Sequence, residues 1–239
     1  MPGVSQAAPY GYPGTPQPGW GPRPLDNTGL GTATLVLGAL LVLGDVLGAV
    51  TSFSAVDAYD AAAARGEDPA LVLTAYDAVG LFGILLLPVW ILASLWLSRA
   101  RSNAALLEPA ALRRSPVWAW LGWWVPVVSL WFPKQVVDDS WRVTSRALPG
   151  GGSARSRYRS TGLWWGLWLV YVLLGNGAGR LELSTWFRSD TTGQLEVHQG
   201  VVPALQVAIA VAGVAAYAAW FQVVRGLSRA QAELSGSAR

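Results

Sequence analysis

Four stretches of the chain run apolar on all sides, without the alternation of a strand or the single apolar stripe of a soluble helix. They are Leu30 to Phe53, Leu71 to Leu97, Gly162 to Ala178 and Val201 to Val224. About 20 such residues at 1.5 Å each cover a hydrocarbon core of about 30 Å, so each stretch predicts a membrane-spanning helix. The third is short and ends in Gly175-Asn176-Gly177. The second carries Pro88, which a membrane helix tolerates where neighbours satisfy the freed carbonyl.

A fifth apolar run, residues 117–133, holds Trp118, Trp120, Trp123, Trp124 and Trp131 and is broken by Pro126. Charge decides how to place it. Arg99, Arg101, Arg113 and Arg114 precede the run; Lys134, Arg142, Arg146, Arg155, Arg157 and Arg159 follow it. Basic residues accumulate on the cytoplasmic side of a bilayer. If both flanks are cytoplasmic, all 17 basic residues lie inside except Arg65, Arg180 and Arg188. A fifth crossing would put basic clusters on both faces. The run is therefore expected to be a re-entrant or interfacial hairpin, with a crossing as the alternative. The two outside loops are then acidic, holding Asp57, Asp60, Glu67 and Asp68 in one, and Glu182, Asp190 and Glu196 in the other.

The remaining segments are polar. Residues 1–29 are rich in Pro, Gly, Gln and Tyr and are expected to form a disordered cytoplasmic tail. Residues 134–148 predict an amphipathic cytoplasmic helix. Lys134, Asp138, Arg142 and Arg146 form one ridge; Val137 and Trp141 lie on the next, beside Val136, Ser140 and Thr144. Such a helix lies on a membrane or against other helices. Residues 149–160 read as a flexible linker, residues 30–225 as the membrane domain, and residues 226–239 as a short cytoplasmic tail. The fold class is all-α integral membrane protein with four transmembrane helices, the hairpin and the amphipathic helix. The expected location is the plasma membrane, multi-pass, with both termini cytoplasmic.

Composition narrows the chemistry. The chain is 52% apolar and 13% charged, where a soluble domain has about a quarter charged. It has no cysteine and one histidine, His198, which excludes thiolate nucleophiles, disulfides and Cys/His metal sites. No GxSxG, HExxH, P-loop or dinucleotide fingerprint is present. No enzyme activity, cofactor or nucleic-acid partner is expected.

Carboxylates inside a bilayer are expensive and are candidates for function. Asp45 falls about 12 Å from the outer end of the first span and Asp77 about 9 Å from the outer end of the second, at 1.5 Å per residue. With Asn176 and Gln206 they suggest a polar layer in the outer half of the bundle. If the second helix starts at Ala78 instead, Asp77 is a wet helix-end residue favoured by the dipole.

The stretch from Leu95 to Ser145 carries a distinctive order of residues. It holds Arg99, Arg101 and Asn103; Ser115-Pro116 followed by Trp118; Gly122-Trp123-Trp124; the prolines Pro126 and Pro133; and Asp139 with Trp141-Arg142. This pattern resembles a widespread bacterial family of small, typically actinobacterial, multi-pass membrane proteins, the domain of unknown function family 4328. The resemblance extends from the first helix to the last. It implies a membrane location and fold, and no established activity.

Two functions fit these readings. One is a non-enzymatic membrane protein whose cytoplasmic face binds a partner protein or anionic lipid. The other is a small proton- or cation-coupled transporter or channel using Asp45 and Asp77.

Overall fold

The computed structural model describes residues 24–149, 154–186 and 200–236. Of the disordered tail expected over residues 1–29, residues 1–23 lie outside the described residues, as do Asp190, Glu196 and His198 of the second outer loop, whereas residues 24–29 are ordered, with Asn27 buried and Thr28 opening a helix. The chain is helical throughout, with no strand among the described residues.

Helix α1 (Thr28–Ala64) is followed by a short helix α2 (Ala75–Gly80), a 3-10 turn over Leu81–Leu85 and helix α3 (Leu86–Leu107). The 3-10 turn has a local cause. Pro88 lacks an N–H and its ring clashes with the carbonyl four residues back, so the preceding turn tightens instead of continuing as α-helix. A four-residue helix α4 (Trp118–Leu121) lies in the tryptophan-rich run, then helix α5 (Phe132–Ala147), α6 (Ala154–Trp186) and α7 (Val202–Ser235).

Among the described residues, three helical stretches are long and apolar enough to cross a membrane: Thr28–Ala64, Ala75–Leu107 and Val202–Ser235. Helix α6 has 33 residues, long enough to cross. Its apolar character is diluted by four tryptophans, several glycines and Asn176 among the aliphatic residues. Several boundaries differ from expectation: α1 starts at Thr28, inside the stretch read as tail, and runs on to Ala64 through Asp57 and Asp60, read as loop, and α6 continues to Trp186, beyond Ala178. Helix α6 begins at Ala154, inside the stretch read as linker, because residues 154–161 hold neither Gly nor Pro to stop it. Helix α7 runs on to Ser235 through the stretch read as a tail, and its continuation buries Leu227, Ser228 and Gln231.

The long helices pack antiparallel. Gly31, Gly38 and Gly48 of α1 meet Ser228, Tyr217 and Gln206 of α7 in reverse order. Trp164 and Tyr171 of α6 likewise meet Trp220 and Gly213 of α7. Helix α3 runs parallel to α7, with Trp96 against Ser228 and Ala100 against Gln231. Small residues set these distances, as membrane helices associate by close packing. At Gly44 a Cβ would lie 2.5 Å from the Phe82 Cβ, so only glycine lets α1 approach the 3-10 turn this closely.

Helix α5 closes one end of the bundle. Ten of its 16 residues are buried, which seats it against α3, α6 and α7 as part of the fold.

Candidate functional site

The residues that give the chain its identity gather beneath the bundle, at the end where α3 and α7 finish and α1 starts. A buried polar latch ties these ends together. Asn103, near the end of α3, accepts the Leu25 N–H at 2.8 Å and donates through Nδ2 to the Leu25 carbonyl at 2.8 Å and to Gln231 Oε1 at 2.9 Å. Gln231 donates in turn to the Ala100 carbonyl at 2.9 Å and the Thr144 hydroxyl at 3.4 Å. Asn27 donates to the Trp96 carbonyl at 3.1 Å, and the Trp96 indole donates to Ser228 Oγ at 2.9 Å. These amides are essentially fully buried. Burying Asn103 and Gln231 is tolerable because both amide ends find partners here, whereas Asn27 Oδ1 has no partner among the described residues and carries its desolvation cost.

A second cluster fixes the loop before α4. Asp139 is 2% exposed and its carboxylate accepts from the Arg113 amide at 3.0 Å, Arg113 Nε at 2.9 Å and Arg142 Nη2 at 2.8 Å. Arg142 also donates to the Ala111 carbonyl at 2.7 Å. Arg101 Nε donates to the Arg114 carbonyl at 3.1 Å; Arg114 Nε reaches Gln135 Oε1 at 2.7 Å and its guanidinium lies 3.8 Å over the Phe132 ring. Arg99 sits at the rim, 3.5 Å from the Asp26 carbonyl. The hydrogen bond from the Thr28 hydroxyl, followed by that from its amide, holds the Asp26 carboxyl below the ordinary carboxylate value.

The tryptophan-rich run leaves from and returns to the same end of the bundle. Ser115 and Pro116 open the turn into α4, and Trp118 meets Phe132 edge-on at 4.6 Å where the run comes back; Pro133 then occupies the first turn of α5. Between these ends Trp124 packs on Trp90 at 4.8 Å, Trp123 on Trp168 at 5.7 Å, and the Trp165 indole donates to the Leu130 carbonyl at 2.8 Å. The reversal follows Pro126, whose carbonyl accepts the Val128 N–H at 2.7 Å across Val127 at φ 68°. A β-branched residue in that region is strained, and the tight three-residue turn imposes it.

The four polar residues expected to share an outer layer have separate partners. Asp45 accepts from the Tyr171 hydroxyl at 2.9 Å. Asp77 is exposed and stands at the third position of α2, where Oδ2 accepts the Thr74 amide at 2.7 Å and hydroxyl at 2.8 Å in a capping box. Gln206 donates to the Tyr76 hydroxyl at 2.6 Å, and Asn176 donates to the Val172 carbonyl of its own helix at 2.7 Å. Tyr171 also lines a cavity of about 100 Å³ among Trp90, Trp123, Trp164, Trp168 and Trp220. Among the described residues no group of His, Cys, Asp or Glu could hold a metal ion.

Several partners were not visible in the sequence. Gln231, Thr144, Gln135 and Tyr171 belong to no motif, and each matters through a contact more than 20 residues away. One signal was present for Gln231: Val224, Leu227, Ser228 and Gln231 recur at helical spacing and so share one face.

No curated protein and no solved structure matches the chain. A family model does, described as a domain of unknown function (DUF4328), over residues 57–229. Most of α1, with Leu25 and Asn27 before it and Gln231 after, falls outside that span, whereas Asn103 and Asp139 fall within it. With nearly three quarters of its length covered by the match, the chain belongs to the DUF4328 family.

Proposed function

We propose that the chain is a four-span protein of the plasma membrane, with both termini cytoplasmic and residues 117–133 entering the bilayer without crossing it. It acts without enzymatic chemistry, by binding a partner protein or anionic lipid on its cytoplasmic face. One observation carries this reading. The buried Asp139 holds Arg113 and Arg142 with 48% and 35% of their side chains exposed, which gives a basic rim whose geometry is set before any partner arrives. Pre-set charges cost less ordering on binding than mobile ones. Helix α6 as the remaining span is supported by its length and by its antiparallel packing along α7.

The native chain has no cysteine, so single cysteines report topology cleanly. Introduced at the exposed positions Ser102 and Ala147, they should be shielded from an impermeant thiol reagent added to intact cells. At the exposed Glu67 and Gly179 they should be labelled. Labelling at Ala147 with protection at Ser102 would make the tryptophan-rich run a crossing and overturn the arrangement.

A second reading, a small proton- or cation-coupled transporter or channel, is favoured by the Asp45–Tyr171 hydrogen bond beside the aromatic cavity. In liposomes under a pH gradient it requires proton movement above that of empty liposomes, lost in Asp45→Asn. No wild-type movement, with or without candidate solutes, would leave the cytoplasmic face as the place of action.

A further inference from the structure

Two arginines stand apart from the latch. Arg113 and Arg142 are held by Asp139, and Arg146 by Glu108. Arg225 and Arg229, one turn apart on α7, are exposed and pair with no carboxylate among the described residues. They stand at the end of an open groove of about 580 Å³ between α1 and α7. Its walls are apolar, formed by Leu35, Val36 and Leu40 on one side and Tyr217, Phe221 and Val224 on the other. None of the residues lining it is acidic. The nearby Asp26 carboxylate is tied back by both the amide and the hydroxyl of Thr28.

Depth identifies what fits there. Arg225 lies about 34 Å along α7 from Val202, where a core of about 30 Å gives way to headgroups. From Thr28 to Leu40 the groove follows α1 for about 18 Å, the reach of a hydrocarbon chain spanning one leaflet of about 15 Å. A soluble anion would use the arginines and leave the apolar walls unused.

We propose that this groove is a binding site for one anionic phospholipid, with the phosphate on Arg225 and Arg229 and one acyl chain along α1 toward Leu40. The assignment rests on the topology proposed above and makes its lipid partner specific. Recognition is by charge at one end and by shape along the rest.

The test uses the full chain in phosphatidylcholine vesicles with a minor fraction of phosphatidylglycerol carrying a photoreactive acyl chain, followed by mapping of the labelled peptides. Labelling should concentrate on residues 28–40 and 217–229. A juxtamembrane arginine is worth roughly a fivefold change in affinity for an anionic surface, so R225Q and R229Q should each lower the labelling by about that factor. R225K should retain it, which separates loss of charge from loss of fold. Ala39→Phe keeps both arginines but fills the groove, and should also lower it. The same photoreactive chain on phosphatidylcholine should show no dependence on either arginine. Even labelling of all lipid-facing helices, or labelling indifferent to both arginines, would overturn the site. Delivery of the probe to one leaflet separates the two proposals: arginine-dependent labelling from the outer leaflet alone would keep the site and reverse the topology.

Discussion

Trp141→Ala should lower the amount of protein in the membrane, and its thermal stability in detergent, more than Asp138→Asn does. Trp141 is 4% exposed and its ring lies over Gly226 of α7, where an added Cβ would stand 2.9 Å from the far edge of the indole. The glycine is the socket for the ring. Emptying such a site costs about 3–5 kcal/mol, because the walls close only partly around the space left. Asp138 is also buried, but its ion pair with Lys134 is an i,i+4 contact to a lysine that keeps 27% of its side chain exposed. Asp138→Asn keeps an oxygen to accept from Lys134 and removes a buried charge whose other oxygen has no partner among the described residues, so the loss and the gain offset. An amide there forfeits little. The reverse ranking would mean that the charged ridge of α5, and not its apolar one, holds the layer in place.

Removing Asp139 should have an effect of similar size by a different route. Asp139→Ala takes away the acceptor for two guanidiniums and the Arg113 amide, at a cost of about 3 kcal/mol, the lower end of what breaking a buried pair costs because both arginines can turn to water. Arg113→Ala or Arg142→Ala leaves the carboxylate with its other arginine, and each should cost about half as much. The asymmetry is the test. Thermal unfolding in detergent of the three single variants and of the Asp139/Arg113 double variant gives the coupling directly. If Asp139→Ala and Arg113→Ala are equally mild, the carboxylate is not the hub of the rim.

What could be read from the sequence follows the range of the interactions. Three of the four apolar stretches reappear as helices long and apolar enough to cross, because transfer into lipid is a property of a segment by itself. The two ridges of α5 were legible for the same reason: helical periodicity placed Val137 and Trp141 together, and both are buried. Family resemblance pointed to Asn103 and Asp139 but not to what they hold. The partners come from a Leu25 backbone that no pattern marks, a Gln231 in a stretch too polar to read as span, and an Arg113 whose neighbours suggested only a basic flank. Asp77 shows the converse. Its surroundings depended on where the second helix starts, and with the start at Ala75 its carboxylate caps the helix through Thr74, a local contact that the apolar run around it did not reveal.

Helix α7 has a consequence for how the protein is made. It packs along both α1 and α6, and supplies Gly226 and Gln231 to the layer beneath. Everything it touches is synthesised earlier. Until α7 leaves the ribosome, the Trp141 ring has no socket, Asn103 lacks its side-chain partner, and Gly31 and Gly38 of α1 lack the Ser228 and Tyr217 side chains they pack on. The nascent chain is thus a set of unlocked helices whose assembly waits on α7, with long-range contacts closing last. Quality control acting on this protein would meet an open α5 during translation and a closed one after it, and a ribosome stalled before residue 200 would leave the open form standing.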